Sequence, residues 1–185
     1  MKRYLQWIII ISVLLASCFA YAHINKMHCM YNVDIDPSDY VAIGMEENKI
    51  YEQTFICGED KLDGINVKIA TAGESLENVV LKYEIRNGQG EKVGAGEIQG
   101  NQIKNNKFNK LKIKRIEETK GKKFIIRTSV ENIDSTNAVS LYQANNNLVM
   151  KYYVFRFDLE TFVIGCSFCL YIFFFMKLLF KLFRE

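Results

Sequence analysis

The sequence predicts an all-β ectodomain, an antiparallel β-sandwich, flanked by an N-terminal and a C-terminal transmembrane helix. Three observations predict it. Apolar segments bracket the chain, from Tyr4 to Ala22 and from about Phe162 to Phe183, and a bilayer core of about 30 Å needs roughly 20 apolar residues in a helix. Between them apolar residues recur with a period of two, as half-buried strands do. Turn residues separate these runs at short intervals with no helical period among them, the pattern of an antiparallel sandwich.

Residues 1–22 read as a signal peptide or an N-terminal transmembrane helix. Lys2 and Arg3 supply a basic start, Ile8 to Leu15 an apolar stretch, and Ala20-Tyr21-Ala22 a small-x-small site,. Leu15-Ala16-Ser17-Cys18 also resembles a lipobox, although the residues after Cys18 stay apolar where lipoproteins turn polar. At the other end, residues 159–185 read as a transmembrane helix and a basic cytoplasmic tail. No charge interrupts Phe162 to Met176, and Lys177, Lys181 and Arg184 follow. Basic flanks stay cytoplasmic and meet anionic lipid at the inner surface. The expected location is the cell membrane, with the β domain extracytoplasmic and the tail cytoplasmic.

The 185 residues are 49% hydrophobic with a net charge of +3. Removing both ends leaves roughly 135 residues, a common domain size and enough for a core without disulfide scaffolding. Part of the small charge belongs to the membrane flanks, so nothing points to nucleic acid. The interior divides into a juxtamembrane segment (23–49), the β-sandwich (50–146) and a strand or connector (147–158).

The strands follow in order. Ile50 to Cys57 is rich in β-formers, and Gly64 to Thr71 puts Ile65, Val67 and Ile69 on one face. Val79 to Arg86 sets Val79, Leu81, Tyr83 and Ile85 against Lys82, Glu84 and Arg86. Asn87-Gly88-Gln89-Gly90 predicts a tight hairpin turn, since Asn-Gly favours positive φ. Glu91 to Gln99 returns. Phe108 to Ile116 alternates again, reading Phe108, Leu111 and Ile113 as the apolar set. Gly121 breaks the chain before Lys123 to Val130, and Ala138 to Gln143 closes the series.

The runs Glu52 to Phe55, Leu62 to Thr71 and Val80 to Arg86, with the later Gly121-Lys122-Lys123-Phe124-Ile125-Ile126-Arg127, resemble a bacterial membrane-anchored jelly-roll domain similar to galactose-binding-type carbohydrate-binding modules. Such domains occur in external loops of envelope glycosyltransferase-like proteins. The resemblance covers about Tyr51 to Tyr142 and implies a sandwich and a glycan ligand. No multi-span enzyme body accompanies it.

The residues point away from catalysis. The only histidines are His23 and His28, both near the membrane, and there is no phosphate loop or His-Glu-x-x-His. Adjacent acids such as Glu46-Glu47 and Glu117-Glu118 point to opposite faces of a strand. The expectation is a non-enzyme without cofactor or metal. His23, Met27, His28, Cys29 and Met30 have soft-ligand character but read as linker. Asp34, Asp36 and Asp39 could hold calcium through oxygen but read as a self-capping turn. Cys29 and Cys57, both external, are candidates for a disulfide. Tyr40, Tyr51 and Tyr142 are the candidate ligand platforms, while Tyr83 shares a core face. The expected role is a membrane-anchored cell-envelope accessory or interaction protein whose partners are membrane lipids and a larger envelope membrane protein. The alternative is a carbohydrate-binding module for an envelope glycan.

Overall fold

A computed structural model of the chain describes residues 2–73, 76–133 and 137–183. The chain divides into two compact units, Met27–Val154 and the pair of segments Met1–Lys26 and Phe155–Glu185.

The strands are β1 (His23–Cys29), β2 (Val41–Gly44), β3 (Tyr51–Ile56), β4 (Lys61–Ala72), β5 (Val80–Asn87), β6 (Lys92–Gln99), β7 (Lys107–Glu117), β8 (Lys123–Glu131), β9 (Ala138–Ala144), β10 (Asn147–Leu148) and β11 (Met150–Phe157). They form two antiparallel sheets. The smaller runs β3-β8-β5-β6. The larger has seven strands and is organised by β4. One edge of β4 pairs with β7 along most of its length. The other edge is shared, Gly64 to Val67 pairing with β11 and Ile69 to Ala72 with β9. Beyond these, β1 pairs β11 and β2 pairs β9.

Period-two alternation builds the core. Ile65, Val67 and Ile69 of β4 face Leu81, Tyr83 and Ile85 of β5 across a layer completed by Leu111, Ile126 and Leu141, all buried. At about 25 cal/mol per Å² of apolar area, this interior supplies the main drive to fold. Among the described residues Asn137 Oδ1 is buried without a partner, whereas the buried side chains of Gln53 and Asn109 are bonded. Gln53 donates to Met30 O (2.9 Å) and accepts from Leu148 N (2.5 Å). Asn109 accepts from Lys104 N (2.7 Å) and donates to Lys104 O and Lys107 O (3.0 Å each).

Several expectations need correction. The juxtamembrane segment holds β1 and β2, and residues 147–158 hold β10 and β11, so both belong to the larger sheet rather than outside the sandwich. In β11 the consecutive Tyr152, Tyr153 and Val154 are all buried, which erases the alternation that marks a one-sided strand. In β7 the inward set is Asn109, Leu111 and Ile113, and Phe108 faces out, 37% exposed. The polar Asn109 disguised the register. In the hairpin after β5 the positive φ falls at Gly90 (84°), not at Gly88. Asn87 Oδ1 instead accepts from Gln89 N (3.0 Å) and Glu91 N (2.9 Å). The expected Cys29–Cys57 disulfide is not formed, because both are free thiols. Cys29 is exposed, whereas Cys57 is buried with Sγ 3.4 Å from Glu59 O and Thr119 Oγ1.

The second unit holds α1 (Lys2–Tyr21) and α2 (Leu159–Leu182). Asp158 caps α2, accepting from Thr161 N (3.2 Å) and Thr161 Oγ1 (2.8 Å) and pairing with Lys26 Nζ (3.2 Å). These bonds, the Thr161 hydroxyl foremost, hold its carboxyl below the usual range. Ala22 O accepts from Asp158 N at 2.8 Å. Small residues face each other between the helices. A side chain on Gly165 would meet Cys18 Sγ, and Cys18 Sγ lies 3.9 Å from Cys169 Sγ. Among the described residues α2 is the helix long and apolar enough to cross a membrane, with mean hydropathy 2.2 and no buried residue. The apolar part of α1 is the shorter Ile8–Tyr21. The structure thus gives one helix of spanning dimensions where the sequence suggested two. Arg184 of the expected basic tail lies outside the described residues.

Candidate ligand-binding face

Strand register composes the outer face of the seven-stranded sheet. Residues alternate sides, so with Ile65, Val67 and Ile69 inward, Asn66 and Lys68 of β4 face out. Lys110 of β7 and Lys151 of β11 flank Asn66 in one row. Phe108 of β7 lies opposite Lys68 in the next row. Tyr142 of β9 pairs with Ala42 of β2, and Tyr40 precedes β2 on the same side.

Three lysines of this face lie over aromatic rings. Lys68 Nζ sits 4.8 Å from the Tyr40 ring centroid and 4.6 Å from that of Tyr142. Lys151 lies 4.6 Å from Phe108, and Lys110 lies 4.2 Å from Tyr153. An ammonium over an aromatic face is held by the ring quadrupole at about 0.5–1 kcal/mol, yet it keeps its charge. Among the described residues Lys68, Lys110 and Lys151 have no carboxylate within ion-pair distance.

The aromatic groups are held in place. Tyr142 donates its hydroxyl to Asn106 Oδ1 (2.6 Å). Asn106 has a φ of 56°, a conformation Asn tolerates better than most residues. Its neighbour Asn105 accepts from Thr71 N (2.9 Å) and fastens this turn to the end of β4. Tyr40 meets Tyr31 edge-on with centroids 5.8 Å apart. Burial, with the Tyr40 hydroxyl beside it, pushes the Tyr31 phenol up. Tyr153 is 3% exposed, and its hydroxyl lies over Gly64, where a side chain would collide with it. Burial first, then the charge of Asp63, pushes the Tyr153 phenol up to about 12.

Of the three tyrosines expected as platforms, the structure brings Tyr40 and Tyr142 together around Lys68. It separates Tyr51, which is in the other sheet and packs against the core. The Tyr51 hydroxyl donates to Gly44 O (3.0 Å) and accepts from Glu46 N (3.1 Å), pinning the connection before β3. Lys68, Phe108, Lys110, Lys151 and Tyr153 were not singled out by sequence. Lys68 was visible as an outward residue of β4, but nothing local linked it to β9 or β11.

The remaining sequence signals have structural partners. His28 Nε2 lies 2.8 Å from Glu59 Oε1, and its ring stacks on Tyr152 at 4.8 Å. His23 lies between the rings of Phe19 and Phe157, at 4.8 and 5.4 Å. Among the described residues no three His, Cys, Asp or Glu side chains are placed to share a metal. Asp36 accepts from Ser38 N (2.8 Å) and Ser38 Oγ (2.6 Å), which makes the acidic segment a self-capped turn.

The outer face of the four-stranded sheet carries a trough of about 530 Å³ lined by Lys82, Glu84, Glu97, Arg127 and Ser129 among others. Several cations of this face are paired. Lys82 meets Glu131 (2.6 Å), Arg86 meets Glu84 (2.7 Å) and Arg127 meets Glu52 (2.9 Å).

No family model and no curated protein matches this chain. Among solved structures it is similar to CsCBM6-3 from Clostridium stercorarium, solved in complex with cellobiose. That match has 15% identity over 74% of this chain and 95% of that one, with a TM-score of 0.37. It is also similar to the Glycosylation Associate Protein (Gap123) complex from Streptococcus agalactiae, at 9% identity over 69% of this chain and 44% of that one, TM-score 0.31. A third similarity is to infectious bursal disease virus, Gt strain, at 10% identity over 72% and 32% of the two chains, TM-score 0.30. All three scores are below 0.5, and none carries an argument about what this chain binds.

Proposed function

We propose that this protein is a membrane-anchored module of the cell envelope that binds a glycan through the outer face of its seven-stranded sheet. It acts by binding and not by catalysis. The observation that carries this reading is the Tyr40–Lys68–Tyr142 cluster, two rings held half-exposed on a solvent face with a fixed cation between them. Aromatic faces of this kind offer large apolar contact at low entropic cost, and a cation beside them directs hydroxyl or charged groups of the ligand.

The anchoring part rests on α2. A 24-residue helix, apolar on every side and with no residue buried in protein, fits a bilayer interior,. Lys177 and Lys181 at its end support a cytoplasmic tail and an extracytoplasmic sandwich. The small residues Cys18 and Gly165 meet each other within the chain. They are therefore already used between α1 and α2, which weighs against a seam kept free for a larger membrane partner.

The test is a glycan panel on full-length protein in lipid nanodiscs, with Tyr142→Ala and Tyr40→Ala beside the native chain. Binding of one glycan class, lost in both variants, is the expected result. A protein that binds no glycan and leaves its membrane in stoichiometric association with a multi-span protein would instead be an accessory subunit. Protease added to intact cells checks the side of display, and a fully protected sandwich would reverse the topology.

A further inference from the structure

We infer that the glycan recognised by this face is acidic, a polysaccharide bearing carboxylate groups such as uronic acids. The inference rests on the glycan-binding reading above and narrows it to one chemical class.

The argument is one of charge balance. Lys68, Lys110 and Lys151 occupy three adjoining strands within two successive rows of the sheet. Strands lie about 4.8 Å apart, so Lys110 and Lys151, separated by one strand, are anchored about 10 Å apart, with Lys68 displaced along the strand between them. All three are satisfied by rings: Lys68 by Tyr40 and Tyr142, Lys110 by Tyr153, Lys151 by Phe108. A ring fixes the position of an ammonium without neutralising it. Among the described residues these three positive charges therefore have no carboxylate partner. The same chain pairs its charges routinely on the opposite sheet, where Lys82, Arg86 and Arg127 each meet a carboxylate. These three lysines thus lack a counter-charge, unlike Lys61 and Arg115 nearer the other end of β4, and a ligand with regularly spaced anions supplies it.

Two features favour a sugar polymer over a bare polyanion. The lysines are held against rings, so less side-chain freedom is lost when an anion docks. Tyr142 and Tyr40 add apolar ring area beside the cations, which a carbohydrate ring can use and an inorganic chain cannot.

The experiment measures full-length protein in neutral-lipid nanodiscs against polygalacturonate, its fully methyl-esterified form, neutral β-glucan and inorganic polyphosphate, at low and high salt. Lys68→Ala/Lys151→Ala and Lys68→Arg/Lys151→Arg are compared with the native chain, and circular dichroism verifies that each is folded. Polygalacturonate should bind, with affinity falling as salt rises. The methyl ester should bind about tenfold more weakly or worse, and the double Ala variant should lose at least as much. The double Arg variant should keep binding. Equal or tighter binding of the methyl ester or β-glucan would overturn the acidic assignment while leaving the glycan reading intact. Polyphosphate binding as tightly as polygalacturonate would overturn both, since it would mark a surface that reads charge without sugar. No binding to polygalacturonate also overturns the assignment.

Discussion

The outer faces of the two sheets carry similar side chains and use them differently. On the four-stranded sheet, Lys82, Arg86 and Arg127 close onto Glu131, Glu84 and Glu52. On the seven-stranded sheet, Lys68, Lys110 and Lys151 close onto tyrosine and phenylalanine. Exposed ion pairs of the first kind contribute little to stability, but they silence the field of that face. The second arrangement contributes about as little and leaves its charge available. Composition alone could not separate the two, because both faces are rich in lysine and arginine. The partners of these six side chains separate the two clusters, although β4 and β7 also pair Lys61 with Glu117 and Arg115 with Asp63.

The contrast can be broken or sharpened experimentally. The largest effect should come from Gly64→Ala. A side chain there runs into the Tyr153 hydroxyl and the Leu111 carbonyl, and the backbone oxygen cannot step aside. The expected loss is about 3 kcal/mol, read by urea unfolding. Ser129→Ala, on the trough of the other face, should change stability by less than about 0.5 kcal/mol. Comparable losses would mean that the aromatic face is no more tightly built than its counterpart.

Next comes alkaline pH. The Tyr153 phenol is raised from 10.0 to about 12 in the folded chain. A group with a raised folded pKa gives its stabilisation in full below the unfolded value and loses it as pH rises through the folded one. The unfolding temperature should therefore fall between pH 10 and 12, and Tyr153→Phe should flatten that decline. An unchanged slope in the variant would move its cause to another tyrosine.

Tyr142→Phe should follow, at no more than about 1 kcal/mol of stability, because it removes one hydrogen bond to Asn106,. It should weaken ligand binding more than it weakens the fold, since the ring would no longer be held at its angle. Titration calorimetry against thermal unfolding makes the comparison. The smallest structural effects are expected for Lys68→Ala and Lys82→Ala, neither of which should move the unfolding temperature appreciably. Ligand binding should divide them, weakened by the first and untouched by the second. If Lys82→Ala weakens binding too, the two faces are not functionally distinct.

Much of the sandwich was legible from period-two alternation. Val79, Leu81, Tyr83 and Ile85 occupy the face the pattern gives them, and all are buried. The pattern failed where a polar residue faces inward, as Asn109 does to hold the 104–107 turn. It failed again where a strand is covered on both sides, as at Tyr152 to Val154. Of the ligand face, Tyr40 and Tyr142 could be named from sequence but not brought together. Their meeting point, Lys68, arises from pairing between strands distant in the chain, and a local pattern does not encode such pairing. Cys29 and Cys57 had the compartment for a bridge, but their side chains take opposite surroundings, one in solvent and one against the Thr119 turn.

The division of β4 between β9 and β11 along one edge has a consequence for timing. All three partners of β4 lie downstream of it, and the last ends at Phe157, where the chain enters the segment leading to α2. Such distant pairings fold slowly, because loop closure is costly before any contact rewards it. During synthesis β4 therefore waits with an unfilled edge until nearly the whole chain has been made. An unfilled edge invites pairing with other chains. The interval between the emergence of β4 and the arrival of β11 is therefore when this edge is most open to pairing with another chain.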